Sequence, residues 1–126
     1  RALLLDQHGN VAEASTANLL IYNKDVGLVS PRKENILPGI SLTVLENLAA
    51  QLGVDFQYAD FSAADLLAAD EVILCSTSPS VWAVRECNGQ VCGAGADGET
   101  VRALQRGFSD LVGLDIVAQA AELAAR

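Results

Sequence analysis

The first quarter of the chain alternates short apolar runs with turn-forming residues, as a β-rich region does. Apolar residues 2–5 and 11–22 predict two strands joined by a turn at residues 8–10, where glycine and asparagine occur together. Residues 27–30 predict a further strand, and residues 31–39, which begin and end in Pro-containing turns, predict a loop.

The hydrophobic period then changes from two to nearly four residues. Leucines recur at helical spacing through residues 40–52, which predicts a helix that ends at Gly53. Either Ser41, or Thr43 together with Glu46, offers the hydroxyl and carboxylate chemistry of an N-terminal cap.

The remainder of the chain interleaves short strands with helices. The predicted strands cover residues 54–58, 71–76, 81–85 and 91–93, the last two joined by a hairpin at Asn88-Gly89. The predicted helices cover residues 62–68, which open on a capping-box pattern, 99–112, which follow a glycine-rich loop, and 116–126. Without repeats or an evident linker, this order predicts one mixed α/β domain over residues 1–126.

Charge and length narrow the classes of function. Eight basic and sixteen acidic residues give a net charge of −8, which would repel nucleic acid and an anionic membrane surface. No apolar stretch approaches the roughly 20 residues of a bilayer span, so we expect a soluble protein. The first residues enter a strand-like run without a methionine or a signal-peptide pattern, and we therefore expect a longer parent chain.

Cysteine and histidine usage argues against several kinds of site. Cys75, Cys87 and Cys92 are odd in number and none forms a C-x-x-C pair, so we expect free thiols in a reducing cytoplasm rather than disulfides or bound zinc. The single histidine, His8, lies in a polar turn, which favours an exposed residue over a metal ligand or a general base.

Three separated segments place chemical groups at the ends or edges of regular elements. Glu13 is a carboxylate in a strand of small and apolar residues, and composition alone favours an outward, solvated position for it. Residues 36–41 run from a Pro-Gly turn into a helix start, where unpaired amides can bind an anion. Residues 76–78 are three hydroxyl residues after a buried strand, suited to phosphate or carboxylate oxygens. An ordinary helix junction and ordinary turn capping are the competing interpretations of the last two.

Together and in this order, the segments resemble the class IV (fold-type IV) aminotransferases, which include branched-chain and D-amino-acid aminotransferases and aminodeoxychorismate lyases. The matching runs are E-A-S-T-A-N, I-L-P-G-I-S, A-D-E-V-I-L-C-S-T-S and the Asn88-Gly89 hairpin with its glycine-rich loop; the first three cover residues 13–18, 36–41 and 69–78. The resemblance implies the larger C-terminal domain of that family, a barrel-like mixed sheet with helices outside.

On the ring side of the cofactor, the resemblance implies two residues. Glu13 would pair with the pyridine nitrogen of pyridoxal 5'-phosphate, and Leu37 would pack against the ring. A carboxylate suits that position because a nearby anion keeps the nitrogen protonated, and the protonated ring is the electron sink of the chemistry.

On the phosphate side, the resemblance implies both the helix start and the end of the hydroxyl-tipped strand. Ile40 and Ser41 would bind the phosphate, with Ser41 standing where the family often has threonine, and Ser76 and Thr77 would complete that site. The backbone of Thr77 and Ser78 would meet the substrate carboxylate. No metal site is expected in this chain.

The Schiff-base lysine of the family lies upstream of the Glu13 segment, outside this sequence, so the chain alone offers no catalytic nucleophile. Lys24 and Lys33 match no family position and are expected to be surface charges. The family's small N-terminal domain, with an arginine that completes the phosphate site, also lies outside the sequence.

The resemblance implies that the parent enzyme transfers an amino group between an amino acid, branched-chain or D-configured, and a 2-oxo acid. A cytoplasmic homodimer is expected. Two alternatives stay open: a lyase of the aminodeoxychorismate type that releases pyruvate, and a non-catalytic remnant that keeps the fold without the lysine.

Overall fold

The computed structural model describes residues 1–126, except for the side chain of Ala96. The strands are β1 (Leu3–Leu5), β2 (Val11–Ala14), β3 (Asn18–Asn23), β4 (Gly27–Ser30), β5 (Phe56–Tyr58), β6 (Glu71–Ser76), β7 (Ser80–Ala83), β8 (Glu86–Cys87) and β9 (Gln90–Val91). The α-helices are α1 (Ile40–Leu52), α2 (Ala63–Ala68), α3 (Glu99–Val112) and α4 (Ile116–Ala124), with 3₁₀ turns at Lys33–Asn35 and Gly95–Asp97.

Five of the strands form one sheet in the order β5-β4-β3-β6-β7. Strand β4 pairs with β5 in parallel, across a connection that contains α1, and the other pairs are antiparallel. Two small antiparallel sheets, β1-β2 and β8-β9, flank it. The mixed α+β class is therefore confirmed.

Both faces of the central sheet are buried, because successive side chains along each strand point to opposite faces. Leu20 and Ile73 pack with α1 and α3 on one face, whereas Leu19 and Val72 face a second cluster that includes Leu66 of α2. This arrangement explains why β3 and β6 are almost continuously apolar rather than alternating.

Helix α1 has the predicted bounds but not the predicted cap. Gly53 ends it in the left-handed region at φ 71°, with its amide on the carbonyls of Ala49 and Ala50. At the other end the N-cap residue is Gly39, which has no capping side chain. Ser41 and Thr43 lie inside the first turn, where a hydroxyl cannot reach the unpaired amides ahead of it. Thr43 Oγ1 instead donates back to the Gly39 carbonyl at 3.4 Å.

The predicted strand over residues 11–22 is two strands. Ala14 and Ala17 exchange backbone hydrogen bonds of 2.9 and 3.3 Å, and Ser15 and Thr16 form the tight turn between β2 and β3. The sequence carries neither glycine nor proline at this turn, so its composition did not distinguish it from a strand.

Several local signals are confirmed. Strand β4 and helix α3 have the predicted bounds, and Ser62 and Asp65 form the reciprocal capping box of α2. Asn88 and Gly89, at φ 51° and 76°, join β8 to β9, although the return strand covers residues 90–91 rather than 91–93. No helix in the described chain combines the length and apolar character needed to cross a membrane.

Candidate functional site

A small cavity lies at the end of the central sheet where β3 begins and β6 ends. The antiparallel register pairs Asn18 with Cys75, so the turn before β3 and the turn after β6 meet at the same edge. The N-terminus of α1 closes a further side. The cavity measures about 180 Å³ and its lining is Glu13, Ala14, Ser15, Thr16, Ala17, Asn18, Leu37, Gly39, Ile40, Ser41, Ser76 and Thr77.

Glu13 lies on β2 with its half-buried carboxylate at this cavity. Its Oε2 atom accepts a hydrogen bond from the Leu37 backbone N–H at 3.1 Å and from Asn18 Nδ2 at 3.3 Å. The outward, solvated position that composition favoured is therefore wrong for Glu13. Contacts with the loop before α1, which are remote in sequence, hold the carboxylate at the cavity instead.

Asn18 joins three parts of the cavity and was not predicted as a site residue. Its buried amide donates to Glu13 Oε2 and, at 3.0 Å, to the Leu37 carbonyl. A Cβ placed on Gly39 would collide with Asn18 Oδ1, so a larger residue at the α1 start would displace the Asn18 side chain. The signal available in sequence was a polar side chain at the start of an apolar strand.

The first turn of α1 presents unpaired amides to the cavity. The first intrahelical bond runs from Thr43 N to the Gly39 carbonyl, and no described side chain accepts a bond from the amides of residues 40–42. The turn contains no acidic residue, so the positive end of the helix dipole is not neutralised within it. The Ser41 side chain lies buried beside these amides.

Two large apolar side chains next to this turn are strongly exposed. Leu37 is 73% and Ile40 is 81% exposed, although both line the cavity. An apolar surface of this kind beside polar groups is typical of a binding site for a ligand or another part of a protein.

The end of β6 supplies the hydroxyl groups. Ser76 and Thr77 line the cavity, and Ser76 pairs with Ser80 across the turn that leads to β7. Ser80 holds a left-handed φ of 57°, which helps the chain reverse within three residues. Ser78 lies exposed in the turn and is not among the lining residues.

The six residues that the sequence predicts as a cofactor site therefore share one cavity; they are Glu13, Leu37, Ile40, Ser41, Ser76 and Thr77. The arrangement combines a carboxylate on one side with helix-terminal amides and hydroxyls on the other. It can hold a ligand that has a hydrogen-bond donor at one end and an anion at the other.

The basic residues and thiols of the chain contribute little to this cavity. Among the residues described, no lysine or arginine lines it; Lys33 lies with its Nζ 4.4 Å from the centre of the Tyr58 ring, and Lys24 is exposed in the turn between β3 and β4. Cys75, next to the hydroxyl residues, is a buried free thiol. Burial raises its pKa to about 12, so it remains protonated and is a poor nucleophile.

A wider groove of about 900 Å³ lies between α3 and α4. It is open to solvent, and it contains none of the predicted site residues. Size alone therefore does not identify the site; the convergence of distinct chemical groups at the smaller cavity does.

Sequence comparisons with known proteins match class IV aminotransferases. The profile of the amino-transferase class IV family matches residues 1–87. The branched-chain-amino-acid aminotransferase of Pseudomonas aeruginosa is 33% identical over 111 residues, covering 88% of this chain and 36% of the relative. The D-alanine aminotransferase of Staphylococcus aureus is 32% identical over 102 residues, covering 81% of this chain and 36% of the relative.

Solved structures agree in fold. The Escherichia coli branched-chain amino acid aminotransferase has a TM-score of 0.81 at 30% identity, covering 86% of this chain and 36% of its own. Another branched-chain amino acid aminotransferase, solved with pyridoxamine 5'-phosphate, has a TM-score of 0.80 at 28% identity, with coverages of 89% and 37%. The 4-amino-4-deoxychorismate lyase of Pseudomonas aeruginosa has a TM-score of 0.77 at 34% identity, with coverages of 86% and 39%. The chain thus spans little more than a third of the length of these proteins.

Proposed function

Because this chain belongs to the class IV aminotransferase family, we propose that it forms the larger, cofactor-binding part of a pyridoxal-phosphate-dependent aminotransferase. The observation that carries the proposal is the single cavity that brings Glu13, the α1 N-terminus and the end of β6 together. The solved relative with pyridoxamine 5'-phosphate supports the choice of cofactor.

The donor set of the cavity fits this cofactor. The amides of Ile40 and Ser41, with the hydroxyls of Ser41, Ser76 and Thr77, suit a phosphate at the positive end of a helix. The Glu13 carboxylate suits a protonated ring nitrogen, and the exposed Leu37 side chain offers an apolar surface for the ring. When bound, the cofactor would supply an electron sink for the carbanion formed at the substrate α-carbon.

In this proposal the residues of the chain bind and orient. Glu13 holds the proton on the ring nitrogen through its carboxylate, and Leu37 excludes water from the ring face beside it. Thr77 and Ser78 offer backbone groups at the end of β6 for the substrate carboxylate. The lysine that moves the substrate proton, and a basic residue for the phosphate, would come from the rest of the parent protein.

The proposed reaction is transfer of an amino group between an amino acid and a 2-oxo acid. Branched-chain and D-amino acids are the donor classes that the names of the relatives suggest. A second candidate is a lyase reaction that releases pyruvate, favoured by the 34% identity to the deoxychorismate lyase. A cytoplasmic homodimer is part of the proposal, and the free cysteines suit a reducing compartment.

The test uses the intact protein that contains this chain. Titration with pyridoxal 5'-phosphate should give saturable binding with a visible absorbance band, and a panel of L- and D-amino donors should show 2-oxo-acid-dependent turnover. Glu13→Gln should slow turnover by about 100-fold while binding changes little, and Glu122→Gln, on the exposed face of α4, should change neither. Pyruvate release from aminodeoxychorismate without transamination would favour the lyase. Absence of cofactor binding would overturn the proposal.

A further inference from the structure

The amide of Asn18 lies where the two halves of the cavity meet. Asn18 is 7% exposed, and a buried amide needs partners for both of its N–H groups. Nδ2 donates to Glu13 Oε2 at 3.3 Å and to the Leu37 carbonyl at 3.0 Å. Both partners belong to residues that line the cavity, so the hydrogen bonds of this side chain connect parts of the site.

Glu13 depends on Asn18 for part of its orientation. The Leu37 N–H also donates to Oε2, at 3.1 Å, so both described donors use the same oxygen. Within the described part of the chain, Oε1 has no hydrogen-bond partner. Two donors on one oxygen hold that oxygen in place and leave the other oxygen for a ligand.

Asn18 also contacts the phosphate side of the cavity. Its Oδ1 atom occupies the space that a Cβ on Gly39 would take, and Gly39 is the N-cap of α1. A shift of the Asn18 amide would therefore move Glu13, the loop at Leu37 and the helix start relative to one another.

We infer that Asn18 is a positioning residue that fixes the Glu13 carboxylate relative to the N-terminus of α1; this inference rests on the proposed function. Asparagine is required rather than aspartate. A carboxylate of the same shape has no N–H to donate to either partner, and it would repel the like charge of the Glu13 carboxylate.

The test compares Asn18→Asp and Asn18→Ala in the intact protein with Asn47→Asp, which makes the same chemical change on the exposed face of α1. Asn18→Asp and Asn18→Ala should each lower kcat by about 10- to 100-fold, with a smaller change in KM. In the cofactor-free protein, hydrogen exchange at the Leu37 amide should speed up. Asn47→Asp should change neither.

A double-mutant cycle separates positioning from a merely structural role. If Asn18 acts through Glu13, adding Asn18→Ala to Glu13→Gln should lower kcat by less than about threefold beyond Glu13→Gln alone. Fully multiplicative effects would overturn the inference. Loss of folding in both Asn18 variants, measured by circular dichroism, would also overturn it, because the residue would then serve the fold.

Failure of the inference and failure of the proposed function are distinguishable. If Glu13→Gln slows turnover but the Asn18 variants behave like Asn47→Asp, only the inference fails. If the unsubstituted protein binds no pyridoxal 5'-phosphate, the proposed function fails. The Asn18 hydrogen bonds would then stabilise only the local structure.

Discussion

The two long helices of the chain, α1 and α3, have similar N-terminal turns, but among the described residues only the first turn of α3 has a protein carboxylate bound to its amides. Gly39 and Gly98 are their N-caps, neither of which supplies a capping side chain, and each helix has a buried hydroxyl residue at its second position, Ser41 or Thr100. At α3 the carboxylate of Glu71, itself buried at the start of β6, accepts bonds of 2.9 and 2.7 Å from two first-turn amides. At α1 no described side chain does so, and the turn opens on the cavity.

A helix N-terminus with a glycine N-cap can therefore either bind a carboxylate of the same protein or leave its amides open to a cavity. The four free amides of a helix start must find acceptors. The α3 start finds them in the protein, so Glu71 is part of the fold. The α1 start has no such partner among the described side chains, which suits the phosphate proposed there. Glu13, which lines the same cavity, is held by Leu37 and Asn18 instead.

The largest expected difference in the free energy of unfolding is between substitutions of the two carboxylates, Glu71 and Glu13. Glu71→Gln replaces one acceptor oxygen with a donor that faces a backbone N–H, so the free energy of unfolding should fall by about 2–3 kcal/mol. Glu13→Gln keeps an acceptor for its donors and should cost less than about 0.5 kcal/mol. Urea unfolding measures both, and equal losses would contradict the assignment of Glu71 to the fold and Glu13 to the site.

The two N-cap glycines provide a second comparison. Both have negative φ, −78° at Gly39 and −60° at Gly98, so alanine is allowed by the backbone and the effect comes from the Cβ alone. Gly98→Ala would press on the Glu71 carboxylate and should destabilise the protein by about 1–3 kcal/mol.

Gly39→Ala would press instead on the amide of Asn18. We expect a smaller loss of stability than for Gly98→Ala, together with weaker binding of pyridoxal 5'-phosphate, because Glu13 and the α1 start shift apart. Thermal melting and cofactor titration of both variants check this. Weaker cofactor binding in Gly98→Ala but not in Gly39→Ala would reverse the comparison.

Removing the hydroxyl at the second position of each helix should affect cofactor binding at α1 but not at α3. Ser41→Ala removes one donor to the proposed phosphate and should raise the dissociation constant of pyridoxal 5'-phosphate by about 10-fold. Thr100→Val removes the matching hydroxyl of α3 and should leave that constant unchanged. Fluorescence titration of the intact protein separates the two, and equal effects would argue against phosphate at α1.

The smallest expected effect concerns the side of α1 that faces β5. Tyr58 donates a hydrogen bond of 2.8 Å to Glu46, and burial together with this bond raises the pKa of Tyr58 to about 12. Because the folded pKa lies above the ordinary value near 10, this contribution to stability is present below about pH 10 and is lost as pH rises toward 12. Between about pH 10 and pH 12, the melting temperature of the Tyr58→Phe variant should fall less steeply with pH than that of the unsubstituted protein. Identical slopes for the two proteins would contradict the role of the hydrogen bond.

Sequence alone predicted much of this molecule because local signals were strong. Helical spacing with a terminal glycine predicted α1, and the Ser62 and Asp65 pattern predicted the start of α2. Family-like runs predicted the residues that line the cavity. The turn at residues 15–16 was missed because it lacks glycine and proline.

Long-range contacts could not be predicted from spacing. Glu71 looked like the first residue of an apolar strand, yet its partners lie 29 and 30 residues away. Asn18 reaches the Leu37 carbonyl across 19 residues. Such partners are set by how the sheet brings strand ends and helix starts together, which no local pattern encodes.

The most direct test of the central claim is a crystal structure of the intact protein with pyridoxal 5'-phosphate. The account predicts phosphate density at the amides of Ile40 and Ser41, with the ring nitrogen beside Glu13. Density for the phosphate elsewhere, such as the groove between α3 and α4, or a ring nitrogen remote from Glu13, would contradict it.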